Sequence, residues 1–355
     1  MPGTVPTARL LLKGRPTDTQ LADRLADPLP DGLELYLDLD DIRDSTRLAP
    51  MAERLAEQRP HRDFVYVVEG PIRSLDGSYF DISVDSEANR ECLKRVVWVA
   101  AAIGAEAVLI HAITPMPLGT ALSEGLRKAK LEESLPLVER YIHLAMEKGV
   151  VPLMENIPPV ARQRQAAYMV TPVGMSARDL AFFADRFPGL GVTIDLSHAG
   201  LFLNGLRMDP AAVEPALAPL VTYLRGMDDS SVMGDYLSTV APYLFEIHVS
   251  NARGLLEEGL PYGEGDLDLD TIIRPIAPTV RYLVAETLEP DPDRAVWMRD
   301  AQRRLESILS DVRGAPLPPL PLVSHEPDHH ARSRSSDGSP LPETARGEIA
   351  SRGSL

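Results

Sequence analysis

A chain of 355 residues with 44% hydrophobic content can bury one large core, and a single α/β barrel of about 250 residues plus extensions fits that length. The formal net charge of −16, with no basic stripe, argues against nucleic acid or an anionic membrane as partner, since both demand clustered Lys and Arg. The acidity suits solubility and cation binding, and a single cysteine, Cys92, excludes an internal disulfide.

The elements follow in order. Ala8–Lys13 is a short apolar run and the first expected strand, followed by a helical pattern from Pro16. Leu33–Asp38 alternates with period two, a strand signature. A helix over Ser45–Gln58 leads to a third strand, His61–Glu69. Ser86–Ala102 is a long amphipathic helix that stops at Gly104, and its Cys92 reads as a small buried hydrophobe. Glu106–His111 is the fourth strand, and Leu131–Lys148 is a helix stopped by Gly149. Val150–Glu155 is the fifth strand, and Ser176–Phe187 the next helix. Gly191–Asp195 is the sixth strand. An extra helical segment, Pro210–Leu224, and a helix over Ser231–Tyr243 precede the seventh strand, Leu244–His248. Asp268–Ile276 is a short helix, Arg281–Glu286 the eighth strand, and Asp291–Val312 a closing helix.

Eight strands alternating with helices predict a parallel, closed (β/α)8 TIM barrel spanning residues 1–315 as a single domain. From Pro316 a Pro-rich run and then a Ser-, Arg- and Gly-rich stretch predict a disordered C-terminal tail, 316–355. The N-terminus lacks a charged region followed by an apolar core. The longest apolar stretch, Val96–Ile113, is broken by Gly104 and Glu106 and does not read as a membrane span. The expectation is a cytoplasmic protein with a small-molecule substrate and no nucleic acid or membrane partner, able to form a homo-oligomer.

In such barrels the site lies at the C-terminal ends of the strands. Glu69, His111, Glu155, Asp195, His248 and Glu286 fall there, while strand interiors are Val, Leu and Ile. Glu155, Asp195, His248 and Glu286 offer three carboxylates and one imidazole. That set suits one divalent ion: Mn²⁺, Mg²⁺ or Co²⁺ first, with Zn²⁺ or Fe²⁺ admitted. Any one of these residues alone reads as a surface salt bridge or helix cap; four at matching positions favour a metal site. His198, His111, Glu69 and Arg253 are candidate substrate contacts. For the two histidines a structural role weighs equally, and for Arg253 a surface arginine is the default. Asp266 and Asp268, in the Gly263-Glu-Gly loop, read as helix caps. The insertions Pro71–Ser86, Pro115–Lys130 and Gly200–Met227 follow strands and are candidates for a substrate lid.

Five motifs, Met154-Glu155-Asn156, Thr193-Ile-Asp195-Leu-Ser-His198, Ile247-His248-Val-Ser-Asn251, the Gly263-Glu-Gly-Asp266 loop and Val284-Ala-Glu286, resemble those of the xylose isomerase-like barrel superfamily over roughly residues 8–312. The superfamily includes sugar epimerases and isomerases, inosose dehydratases and AP endonucleases. The resemblance implies Glu155, Asp195, His248 and Glu286 as ligands of one metal, with His198 and an arginine such as Arg253 contacting substrate. The extra histidines that three-metal endonucleases require are missing: the third strand ends in Glu69, and the later loop reads Asp266-Leu-Asp268. No counterpart of the two-metal site with a lysine found in xylose isomerase proper is visible in the sequence. The expected activity is a metal-dependent epimerase or isomerase, with Glu155 and Glu286 as acid and base across a metal-stabilised enediolate. A dehydratase running through the same intermediate, a phosphoester hydrolase and a non-catalytic barrel are the alternatives.

Overall fold

The computed structural model describes residues 8–162 and 168–312. Eight parallel strands close into a barrel in chain order: β1 (Arg9–Gly14), β2 (Gly32–Tyr36), β3 (Val65–Glu69), β4 (Ala107–His111), β5 (Val151–Glu155), β6 (Gly191–Asp195), β7 (Leu244–Val249) and β8 (Tyr282–Ala285), with β8 pairing back onto β1. The expected (β/α)8 barrel is therefore present. The expected tail, 316–355, and the boundary before it lie outside the described residues. Among the described residues no helix is long and apolar enough to cross a membrane.

Both faces of every barrel strand are buried, so the strands are near-continuous apolar runs rather than polar–apolar alternations. One face packs on the helices. The other fills the barrel with Leu11, Val65, Val67, Ala107, Leu109, Leu153, Phe245, Tyr282 and Val284, a self-contained apolar cluster. Pairing of β7 with β6 shifts register between Leu244 and Glu246. A bulge of this kind lets Phe245 join the interior cluster while Glu246 and His248 also reach the barrel axis.

Several helices differ from the expected bounds, among them the closing one, which was expected from Asp291 and begins at Val296. The helix predicted from Leu131 starts seven residues earlier, as Glu124–Glu147. Ser123 caps it by accepting from Leu126 N (3.2 Å), and the Arg127 guanidinium ties the added turns to Asp179 of the Ala177–Arg186 helix (2.6 Å). Part of Gly200–Met227 belongs to a helix, Leu196–Arg207, that begins directly after β6. Its glycines suggest a loop in sequence, yet they serve close packing: a Cβ at Gly205 would lie 2.5 Å from Leu224 Cδ1. The segment expected as one helix over Pro210–Leu224 is a 3-10 turn, Pro210–Ala212, followed by Ala218–Arg225.

Two small hairpins decorate the C-terminal mouth. Val160–Arg162 pairs with Tyr168–Val170, and Asn251–Arg253 pairs with Glu257–Leu260. Behind the second, Gly265 sits at φ +110°, where an added Cβ would meet Ala252 O at 2.5 Å, so the Gly-Glu-Gly loop requires glycine there. Asp268 caps Leu269–Ile276, as expected. Asp266 does not: its Oδ2 accepts from Gly254 N (2.8 Å) and Asn204 Nδ2 (3.0 Å), which locks the hairpin to the Leu196–Arg207 helix.

Candidate metal centre

Each barrel strand sends alternate side chains inward, so the residue two places beyond an interior apolar one reaches the mouth. Leu153 leads to Glu155, Val67 to Glu69, Leu109 to His111 and Leu11 to Lys13. β7 runs one residue past His248, and β8 stops one short of Glu286, which still projects into the same space.

The segments after β5 and β6 brace each other. Asn156 Nδ2 donates to Asp195 O (3.0 Å), and Asp195 N donates to Asn156 Oδ1 (2.7 Å). Asp195 is also the N-cap of Leu196–Arg207, its Oδ1 accepting from His198 N at 2.9 Å. His198 Nδ1 lies 3.0 Å from Asn156 O. A carbonyl only accepts, so Nδ1 carries the proton and Nε2 faces the cavity.

His248 lies at the centre. Its Nε2 is 3.0 Å from Glu34 Oε2 and 3.3 Å from Glu246 Oε1, and Glu246 in turn accepts from Thr193 Oγ1 (3.1 Å). Its Nδ1 faces the other way, 2.6 Å from Glu286 Oε2 and 3.3 Å from Glu155 Oε1. Despite this proximity Nδ1 and Glu286 Oε2 make no hydrogen bond of acceptable geometry, and Glu155 Oε2 is likewise a buried oxygen without one. Glu155, Asp195, His248 and Glu286 each offer one donor atom, all within 4.8 Å of one another. Bare oxygens and a bare nitrogen converging in a buried space fit a divalent cation.

The sequence matches the model of the xylose isomerase-like TIM barrel family over residues 31–308. The chain belongs to that family. No protein of curated function matches its sequence. Solved structures show the same fold. A D-tagatose 3-epimerase-like protein matches at 15% identity and TM-score 0.57, covering 86% of this chain and 98% of the other. A Thermus thermophilus protein soaked with zinc chloride matches at 18% identity and TM-score 0.57, covering 86% and 100%. The 3-keto-D-glucoside 4-epimerase of E. coli matches at 12% identity and TM-score 0.55, covering 84% and 99%.

In this xylose isomerase-like barrel the mouth holds residues that the sequence reading missed. Lys13 Nζ is 2.7 Å from Glu34 Oε1 and 2.9 Å from Glu286 Oε1, and it contacts Glu69 Oε2 more closely still. Burial works against the Lys13 charge, but Glu286, Glu34 and Glu155 outweigh it and hold its pKa above the ordinary lysine range. Burial also opposes ionisation of Glu34, yet His248 and Lys13 bring it down to about 2. Burial and the Glu34 charge push Glu246 up to about 8, outweighing the pull of His248. The His198 imidazole is disfavoured as a cation by burial, but Asp195, Glu155 and Glu258 raise its pKa overall. His111, 3.2 Å from Glu69 and 3.3 Å from Glu155, is shifted down by burial.

The cleft above this cluster has a volume of about 890 Å³ and runs from Glu155, Asp195 and His198 out to Arg15, Tyr36 and Asp38 on the β1 and β2 side. Glu69, His111 and His198 line it, joined by Glu258 from the Glu257–Leu260 hairpin. Arg253 is not part of the lining: its side chain is half exposed and pairs with Glu257 at 3.0 Å. Among the expected lid segments only Pro71–Ser86 reaches the cleft, through Ile72 and Arg73. Met116–Pro117 joins the small sheet at the mouth by pairing with Tyr168–Val170, and the rest of 115–130 and 200–227 lies in helices and turns outside the lining.

Proposed function

We propose that this barrel is a sugar isomerase or epimerase dependent on one divalent metal, held by Glu155, Asp195, His248 and Glu286. The observation that carries this reading is the convergence of four donor atoms within 4.8 Å at the strand ends where barrel sites form. Oxygen-rich ligation with one imidazole favours Mn²⁺, Mg²⁺ or Co²⁺ and admits Zn²⁺ or Fe²⁺. Sugar epimerases among the proteins sharing the fold support the class of substrate.

A metal held by Glu155, Asp195, His248 and Glu286 would supply Lewis acidity toward the negative charge that develops on the substrate oxygens. The chain's own side chains move the proton. Glu155 and Glu286 approach His248 Nδ1 at 3.3 and 2.6 Å. One carboxylate takes the proton from the carbon beside the substrate carbonyl, and the other returns a proton. Return to the opposite face of the same carbon gives the epimer; return to the neighbouring carbon gives the isomer. In the imidazolium form that Asp195, Glu155 and Glu258 favour, His198 keeps its Nδ1–H on Asn156 O and offers its Nε2–H to a substrate oxygen. The cleft volume of about 890 Å³ stands near the top of the usual range for ligand sites, roughly 300–1,000 Å³, so it suits a substrate larger than one sugar ring.

Incubation with Mn²⁺ or Co²⁺ and a panel of ketoses and ketoglycosides in D₂O tests the reading. Deuterium should enter beside the carbonyl of the true substrate, and neither Glu155→Gln nor Glu286→Gln should catalyse the exchange. A dehydrated product would reassign the barrel to the dehydratases. Phosphoester hydrolysis without any exchange would reject the proposal.

A further inference from the structure

We infer that the Lys13 ammonium holds the place of a second divalent cation, so that this barrel takes one metal per chain although its carboxylates could serve two. The inference rests on the proposed four-residue metal centre. Glu34, Glu69 and Glu286 each present an oxygen within 4.8 Å of the others, a nest of cation size beside that centre. Lys13 Nζ fills it, 2.7 Å from Glu34, 2.9 Å from Glu286 and in contact with Glu69. Its hydrogen bond goes to Glu34, and Glu69 and Glu286 stand beside it as ion-pair partners.

A second grouping able to hold an ion, Glu69, His111 and Glu155, also passes through Glu69. Engaging Glu69 therefore guards two of the positions next to the main centre, and the bond to Glu34 engages the third, formed by Glu34, Glu246 and His248. Glu34 and Glu69 are deeply buried, at 0% and 3% exposure, so without Lys13 the three carboxylates would have only the neighbouring imidazoles of His248 and His111 to offset them. A tethered ammonium neutralises them permanently, but it cannot bind and activate a water as a metal does. Two-metal sites clamp both the attacking and the leaving oxygen in phosphoester hydrolysis. A lysine in the second position withholds that chemistry and leaves proton transfer at the remaining metal.

Manganese alone is a sufficient probe. With saturating Mn²⁺ the full chain should hold one ion by native mass spectrometry and give the six-line resonance of an isolated Mn²⁺. Lys13→Ala should hold two, with a broadened, exchange-coupled spectrum, and Lys13→Ala/Glu69→Gln should return to one. Should Lys13→Ala fail to fold, Lys13→Gln, which keeps a donor for one carboxylate, should also hold two. Two ions in the wild type, or one in every folded Lys13 variant, would overturn the inference. The parent reading fails separately: no ion in the wild type but one in Lys13→Ala sinks the four-residue centre and keeps the role of Lys13, whereas none in either sinks both.

Discussion

Leu11, Val67, Leu109, Leu153 and Val284 are followed, two residues along the same strands, by Lys13, Glu69, His111, Glu155 and Glu286. The lower layer is a dry apolar plug; the upper layer is almost wholly ionisable. Apart from the partly exposed Glu286 both are buried, and the same backbone positions both. The plug gains stability by leaving water, about 1.5–3 kcal/mol for each large side chain. The upper layer loses hydration and recovers it only through pairing, as Lys13 does with three glutamates and His248 with Glu34. Stability is thus concentrated in one layer and reactivity in the next. The apolar floor also lowers the local dielectric, which strengthens every charge interaction above it.

The sharpest division should appear when one residue of each layer is changed. Glu155→Gln should cut turnover by about 10²–10⁴-fold, the usual contribution of a general acid or base, while the thermal midpoint of the metal-free chain stays close to wild type. Leu153→Ala should do the reverse. It should cost about 2–5 kcal/mol in denaturant unfolding and leave one metal per chain. Metal loss in Leu153→Ala would mean the layers are not separable.

Glu34→Gln probes the seam between them. Glu34 orients His248 through Nε2, so the variant should bind the metal about 10–100-fold more weakly by calorimetry, with the fold intact. Buried charge away from the mouth gives a smaller, pH-dependent effect. Burial pushes the Asp179 carboxyl up to about 6 from its ordinary 3.8, against the opposing pull of Arg127. A raised folded-state pKa means that its contribution is full below about 3.8 and is lost as pH rises through about 6. Denaturation midpoints measured from pH 4 to 7 should therefore move in favour of Asp179→Asn relative to wild type as pH rises. A constant difference would contradict this. Arg253→Ala should be nearly silent, within about 0.5 kcal/mol and with unchanged turnover, because its partner Glu257 is as exposed as it is.

The barrel was legible because parallel strands buried on both faces leave continuous apolar runs, and eight of these alternate with helices. The four proposed ligands were legible because they stand at the ends of those runs. The same property concealed Lys13, Glu34 and Glu246. When both faces are apolar, period two does not show which face is the barrel interior, and a lone charge within a run carries no sign of its partners. Glu34 meets His248 across 214 positions of sequence, which no local pattern reveals. Glu258 gave no signal because it reaches the cleft only through the hairpin after β7. Gly200 and Gly205 concealed the Leu196–Arg207 helix, since glycine needed for close packing looks in sequence like glycine needed for a turn.

The double duty of Asp195 sets a limit on ion size. One of its oxygens is committed to the amide of His198, and the Asn156 side chain pins its backbone from both directions. Only Oδ2 is free to meet an ion, and the carboxylate cannot pivot to offer both oxygens. Calcium takes six to eight oxygens at about 2.3–2.6 Å and often recruits carboxylates in bidentate fashion. A carboxylate fastened to a helix end cannot expand to serve such a shell. The proposed centre should therefore discriminate by ionic radius, refusing calcium even where calcium is abundant, and it should do so through the rigidity of one helix cap.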